Sequence, residues 1–392
     1  MKVLWCQPVF DQKEINAVVE CLNDGWLGGN GPYTEKFEQE IADVFQMKYG
    51  VFMNSGSSSL LCLLDTLPKD RKKIITPACT FSTTFTNIVK AGFEPVLVDV
   101  NLQTFVVDPE HIESAMSADV GAVLIPSLVG NLPDFKSIQE ICKKHNVLLI
   151  EDACDYLGNT LHGNPTGEYV DAVITSVYGT HHITAGGSGG LACVNDQETR
   201  RTLLGLRDWG RIDLEINEDA TKRFDVKLHD TYYDNKFTYQ LSGYNMKGCE
   251  MQSAFGSEQL KKLNIFNKVR KDIFKTFYDF FSSRDEFILP ETNKGADISW
   301  LAFPLSLSDK CKFDRKHIMT FLEGKGVQTR VLFSGNIIKH PVYEDLKNSC
   351  HTPHHLNNSD YIFKNSFMFG CHHGMTSEMA NYIIGCFNEY LS

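Results

Sequence analysis

Apolar residues fall along this chain in short unbroken runs more often than in alternation. The runs "YGVFMNSG" (residues 49–56), "KKIITPA" (72–78), "EPVLVDV" (94–100), "GAVLIPSLVG" (121–130), "NVLLIEDAC" (146–154) and "DAVITSVYG" (171–179) are each bounded by turn residues or charge. Between them lie helix-like or turn-rich stretches, such as "SSSLLCLLDTL" at 57–67. Continuous apolar strands separated by helices predict an α/β fold whose parallel sheet is covered on both faces. Ligands of such sheets bind outside the carboxyl ends of the strands, so chemistry is expected there.

The pattern changes after this region. Residues 248–284, "GCEMQSAFGSEQLKKLNIFNKVRKDIFKTFYDFFSSR", carry apolar positions at helical spacing and predict one or two helices. From about residue 293 the chain reads as a small α+β unit, with a strand in "ISWLAFPLSL" (298–307) and a helix in "KFDRKHIMTFLEGKG" (312–326) that stops at glycine. The expected division is an N-terminal segment and large domain over residues 1–255, then a connecting helix and small C-terminal domain over 256–392. The segment up to about residue 42 is expected to pack on the small domain. No internal repeat or low-complexity linker interrupts the chain.

Composition narrows the partners. The chain has 392 residues, 42% of them hydrophobic, enough for a sizeable core. Its formal charge is -11 without a basic tract, which argues against nucleic acid and anionic membranes as partners. The start "MKVLWCQPVF" lacks the apolar core of a signal peptide, and no run is long enough for a membrane span. Twelve cysteines are scattered without a CxxC pair, as expected of reduced thiols in a cytoplasmic protein. No metal site is expected.

Four stretches carry candidate chemistry. "NSGSSSLL" (54–61) joins a strand to a helix. Helix-start N–H groups with serine hydroxyls beside them can cradle a phosphate, although a serine N-cap looks the same. "LLIEDAC" ends a buried strand in Glu151 and Asp152, a place where a carboxylate can hold a protonated ring nitrogen or cap a helix. "TFSTTF" places Phe81 where it can stack on a flat ring or fill the core. "SVYGTHHITAGGSGG" (176–190) runs from a strand into a glycine-rich turn carrying Ser176, His181 and His182. Adjacent histidines make poor metal ligands, and each could be a base or a packing feature.

These features follow one another in the order seen in the sugar aminotransferase (DegT/DnrJ/EryC1/StrS) branch of the fold type I pyridoxal-phosphate enzymes, which the chain resembles over nearly its whole length. The resemblance includes "TPACTFSTTFTNIVKAGFEPVLVDVN" (76–101), "SLVGNLPDFKSI" (127–138), "GYNMKGCEMQSAFGSEQLKKL" (243–263) and "GVQTRVLFSGNIIKHP" (326–341). It implies an aspartate aminotransferase-like fold, with a large mainly parallel-sheet domain and a small α+β domain. In that family a lysine that binds the cofactor covalently usually stands five residues after the phosphate serine. Here the position is His181. That replacement marks the nucleotide-sugar 3-dehydratases, which "HHIT" and "RDWGR" (207–211) also resemble.

The resemblance implies the following roles. Pyridoxal or pyridoxamine 5'-phosphate would be held without a covalent link by Gly56, Ser57, Phe81, Asp152, Asp155, Ser176 and Asn245, the last reaching the phosphate of a neighbouring subunit in a homodimer. Asp155 stands where the aminotransferases commonly have glutamine. His181 would be the acid–base residue. Arg330, Trp209 and Arg211 are candidates for the substrate. The expected reaction removes the C3 hydroxyl of a GDP- or CDP-linked 4-keto-6-deoxyhexose, for lipopolysaccharide or capsule sugars. One branch of the subgroup regenerates its amine from L-glutamate, and the other uses a [2Fe–2S] cluster and a reductase. Cys154 fits the cluster branch, but residues 212–239 contain no cysteine, so glutamate is the expected amine donor and no cluster is expected. Two other readings compete: an aminotransferase-like enzyme acting on another keto sugar, such as a heptose, and a non-catalytic cofactor-binding homologue.

Overall fold

In the computed structural model, which describes residues 1–214 and 219–392, a seven-stranded sheet forms the centre of the molecule. Its strands are β1 (Tyr49–Met53), β2 (Lys73–Pro77), β3 (Glu94–Val98), β4 (Val120–Pro126), β5 (Leu148–Asp152), β6 (Ala172–Ser176) and β7 (Gly190–Val194). Six of these are the apolar runs read from the sequence, and each is buried at all but one residue. The spatial order is β1-β7-β6-β5-β4-β2-β3. Strands β3, β2, β4, β5 and β6 run parallel, whereas β7 is antiparallel to both β6 and β1. The antiparallel β6–β7 pair needs no crossover, so the chain between them, residues 177–189, is a loop hung from adjacent strand ends. His181 lies in that loop.

Helices cover both faces. Gly56–Thr66 follows β1 and starts at an N-cap, Ser55, whose hydroxyl accepts the Ser58 N–H at 3.1 Å. Ser82–Lys90 follows β2, with Phe81 as its N-cap residue. One core cluster lies under each face of the sheet, and a third belongs to the C-terminal four-stranded sheet. That sheet is antiparallel throughout and centres on Ala302–Leu307 and Ser366–Gly370.

Position 255 falls inside the helix Glu250–Leu260, which continues through a brief turn into Leu263–Phe281. The latter helix is shared. Phe266 packs into the large core, while Ile273, Phe277 and Phe281 pack into the C-terminal one.

The N-terminal segment departs from expectation. Only its first residues join the C-terminal sheet: Val3 lies in that core and exchanges backbone hydrogen bonds with Gly326 and Gln328. Pro32–Phe45 instead buries Phe37, Ile41, Ala42 and Phe45 in the large core. The helix Gln12–Asp24 is tied to the helix Glu250–Leu260 and its end, through buried Glu14 and its bonds to Gln259 and Lys262. The reason is the buried carboxylates, Glu14 on the first helix and Glu250 against the second. Glu250 accepts the N–H groups of Gly31 and Tyr33 and so pins the start of the second helix, as Glu14 pins the first.

Candidate active site

The carboxyl ends of β5 and β6, the starts of the helices after β1 and β2, and the 177–189 loop enclose a cavity of about 330 Å3. Gly56, Ser57, Phe81, Asp152, Asp155, Ser176 and His181 all line it, joined by Trp5, Cys154, Tyr178, Thr180, Leu301 and Phe333. No lysine lines it among the described residues.

Strand alternation decides which acid faces the cavity. Glu151 and Asp152 are consecutive on β5 and therefore point to opposite faces. Glu151 is fully buried away from the cavity, where it accepts the hydroxyls of Ser127 and, at 2.9 Å, Tyr156. Burial pushes its carboxyl up to about 7. Asp152 faces in and is oriented by the Thr84 hydroxyl at 2.7 Å and the Cys154 N–H at 3.2 Å. Asp155 accepts the Val129 N–H at 2.8 Å. Burial first, and then the neighbouring Asp152, push the Asp155 carboxyl up to about 7.

The helix start is tightly built. A Cβ on Gly56 would lie 2.7 Å from the Cys154 Sγ and 3.3 Å from the Ser176 Cβ. Only glycine lets the first turn sit this close to the ends of β5 and β6. The Ser57 hydroxyl is 2.8 Å from that of Thr83, so hydroxyls from two helix starts meet at the cavity rim. Two helix N-termini, with Ser57 and Ser176 beside them, form an anion cradle of the kind a phosphate ester fills. Phe81 is 50% exposed, and Phe333, brought from the C-terminal unit, meets it edge-on at 6.1 Å. A flat ring would fit against the free Phe81 face, with Asp152 at one end and the hydroxyl cradle at the other. The residues present fit pyridoxal phosphate, but not one tethered through lysine.

The two histidines separate cleanly. His182 is fully buried, and its Nε2 lies 2.9 Å from the Ser299 carbonyl, which makes it a structural tie. His181 lines the cavity, with Tyr178 edge-on at 6.2 Å and a buried Nδ1 that has no hydrogen-bond partner among the described residues. Burial, and next the positive charge of Arg270, push its imidazole down to about 4. The ring is therefore neutral at physiological pH, the form in which it accepts a proton.

The remaining candidates lie outside the cavity of a single chain. Asn245 is exposed and pairs through its backbone with Asp208. Trp209 is 43% exposed, and Arg211 and Lys247 lie 4.5 and 4.0 Å from its ring centre. Both cations are bonded to the buried Asp208. Arg330 is exposed at the rim, 5.8 Å from the ring of Trp5, which does line the cavity. Sequence reasoning missed Thr84, Trp5, Tyr178 and Phe333. Of these only Thr84 left a signal, one helical turn after Phe81 in "TFSTTF".

The fold is that of the pyridoxal-phosphate enzymes of fold type I. Residues 8–388 match the DegT/DnrJ/EryC1/StrS aminotransferase family, and the chain belongs to it. It is 32% identical to a dTDP-4-dehydro-2,6-dideoxy-D-glucose 3-dehydratase of Saccharopolyspora spinosa, over 98% of this chain and 85% of that one. It is 30% identical to a GDP-4-keto-6-deoxy-D-mannose 3-dehydratase of Yersinia pseudotuberculosis, over 93% of this chain and 92% of the other. Among solved structures, a GDP-4-keto-6-deoxymannose-3-dehydratase with a trapped PLP-glutamate geminal diamine superposes with a TM-score of 0.86 at 25% identity, covering 97% of this chain and 99% of that one. No described helix is long and apolar enough to cross a membrane.

Proposed function

We propose that the chain is a pyridoxamine-phosphate-dependent 3-dehydratase of a nucleotide-linked 4-keto-6-deoxyhexose. The observation that carries this reading is a neutral histidine, His181, in a cofactor-shaped cavity that no lysine lines. The two relatives reported above support it, since both are named for removal of a C3 hydroxyl from such sugars.

Asp152 would hold the ring nitrogen, Phe81 the ring face, and Gly56, Ser57 and Ser176 the phosphate. Asp155 closes the cavity floor through Val129. When bound, the cofactor supplies an amine for the C4 ketone and a ring that accepts an electron pair. His181 moves the proton: its neutral imidazole takes one up inside the cavity and delivers it to the departing C3 hydroxyl, which leaves as water. Leu301, Phe333 and Trp5 keep bulk water away from that transfer. Asn245, exposed in one chain, is free to complete the phosphate site of a second copy, so the working unit is read as a homodimer. L-glutamate is the amine donor in this reading, in line with the glutamate adduct trapped in the related structure. The base of the nucleotide is left to experiment, because the related enzymes include dTDP- and GDP-linked substrates and the resemblance also reaches the CDP-linked branch.

The test is incubation of the purified chain with pyridoxamine phosphate, L-glutamate and a panel of GDP-, CDP- and dTDP-4-keto-6-deoxyhexoses, followed by mass spectrometry. Loss of one water from a sugar nucleotide is expected. A product carrying a new amine with its C3 hydroxyl intact would replace this reading with the aminotransferase one.

A further inference from the structure

Arg270 sits on the shared helix Leu263–Phe281 and is fully buried. Among the described residues its guanidinium has no carboxylate hydrogen-bond partner. It donates instead to backbone carbonyls from three separate parts of the chain. These are Trp300 at 3.3 Å and Leu301 at 3.0 Å, Cys371 at 2.9 Å, and His181 at 3.4 Å. An uncompensated buried cation is costly, so its presence beside a catalytic loop calls for a use.

We infer that Arg270 is a positioning residue for His181: its guanidinium ties the loop that carries His181 to the chain segments at Leu301 and Cys371, and its fixed positive charge faces the imidazole. The inference rests on the reading of His181 as the proton-moving group. The planar fork suits the task, because it can reach several carbonyls at once in a fixed geometry. The same loop is held from the N-terminal segment as well, since the Cys6 thiol donates to the Thr180 carbonyl at 3.1 Å.

The charged and titratable groups around the imidazole are few. From the shared helix comes Arg270, from the loop itself His182 and Tyr178, and from the N-terminal segment Cys6. From the segment after Ser366–Gly370 come His372 and His373, and across the cavity lie Asp152 and Asp155. Burial pushes all four histidines down, and in each the charge of Arg270 is the second cause. Arg270 thus works with desolvation to keep His181 uncharged.

The experiment uses the full chain carrying histidine labelled with 13C at Cε1, with the His181 resonance assigned by His181→Gln. Without added cofactor, the wild-type resonance should hold its neutral position well below pH 6. A midpoint near 6.5 in the wild-type chain would overturn the inference whatever the enzyme's activity. Arg270→Met should raise the midpoint by about one pH unit or more, and an unchanged midpoint in the folded variant would overturn it equally. Arg270→Lys keeps the charge but cannot span carbonyls from three segments. Its midpoint should stay low, while kcat falls about tenfold or more with KM nearly unchanged. Wild-type kcat in a folded Arg270→Lys chain would show that the fork is not needed. Failure of the wild-type chain to dehydrate any sugar nucleotide would instead remove the functional reading and leave the titration result standing.

Discussion

Mild acid should destabilise this protein well before its surface carboxylates titrate. Four histidines, the buried His182 and His372 and the half-buried His181 and His373, are held neutral, with the imidazoles of His181 and His372 down to about 4 and that of His373 down to about 3. Above the ordinary value of 6.5 neither the native nor the unfolded chain protonates them, and nothing is lost. Below it the unfolded chain gains protons that the native state refuses, so stability falls as pH drops. Between pH 7 and 5 His181, His372 and His373 each remove about 2 kcal/mol, or about 6 kcal/mol for the three, and His182 acts in the same direction. Glu151 and Asp155 work in the opposite direction. With both carboxyls raised to about 7, the native state takes up protons that the unfolded chain does not yet bind. Together they return about 4 kcal/mol over the same interval. The net expectation is a loss of about 2 kcal/mol between pH 7 and 5, enlarged by His182, against the 5–15 kcal/mol that holds a typical domain folded. Urea unfolding of the cofactor-free protein at half-unit pH steps measures it directly. A flat or rising midpoint from pH 7 to 5 would refute the reasoning, and would mean that water or a bound anion already serves these rings.

Other consequences can be checked separately. His181→Asn should keep cofactor affinity and lose dehydration by roughly 10²–10⁴-fold, whereas His182→Asn should lower stability first, because its ring bonds to Ser299 rather than facing the cavity. Borohydride treatment of the pyridoxal-phosphate-loaded protein should leave the chain mass unchanged, and an adduct on any lysine would contradict the lining described here. Gly56→Ala should weaken cofactor binding about tenfold or more, since the new methyl meets the Cys154 Sγ at 2.7 Å; adding Cys154→Ala should recover part of that loss, and no recovery would place the strain elsewhere. Protein prepared anaerobically should contain no stoichiometric iron and should turn over repeatedly with L-glutamate alone; iron near two per chain would move it to the reductase-dependent chemistry.

Much of the fold was legible because buried parallel strands leave continuous apolar runs, and six strands of the large sheet were visible in that way. The seventh, Gly190–Val194, was not, because "GLACV" is short, contains small residues and follows a glycine turn. Residues that line the cavity were legible at strand ends and helix starts of the large unit, as with Gly56, Asp152 and Ser176, and in the loop after β6, as with His181. Contacts across long sequence separations were not. Nothing local connects Phe333 to Phe81, Trp5 to the cavity, or Arg270 to the His181 loop, since each depends on how the C-terminal sheet docks. Trp209, Arg211 and Asn245 fall outside the single-chain cavity, and the role proposed for Asn245 is one in a second copy.

The lysine-free cavity also has a consequence for regulation. A lysine Schiff base adds a covalent, though hydrolysable, link to the contacts that hold a cofactor. Here occupancy follows mass action, with a bound fraction set by free cofactor against its dissociation constant. The enzyme's active population then rises and falls with the supply of the vitamin-derived cofactor, and dilution into an assay without it empties the site on the timescale of dissociation.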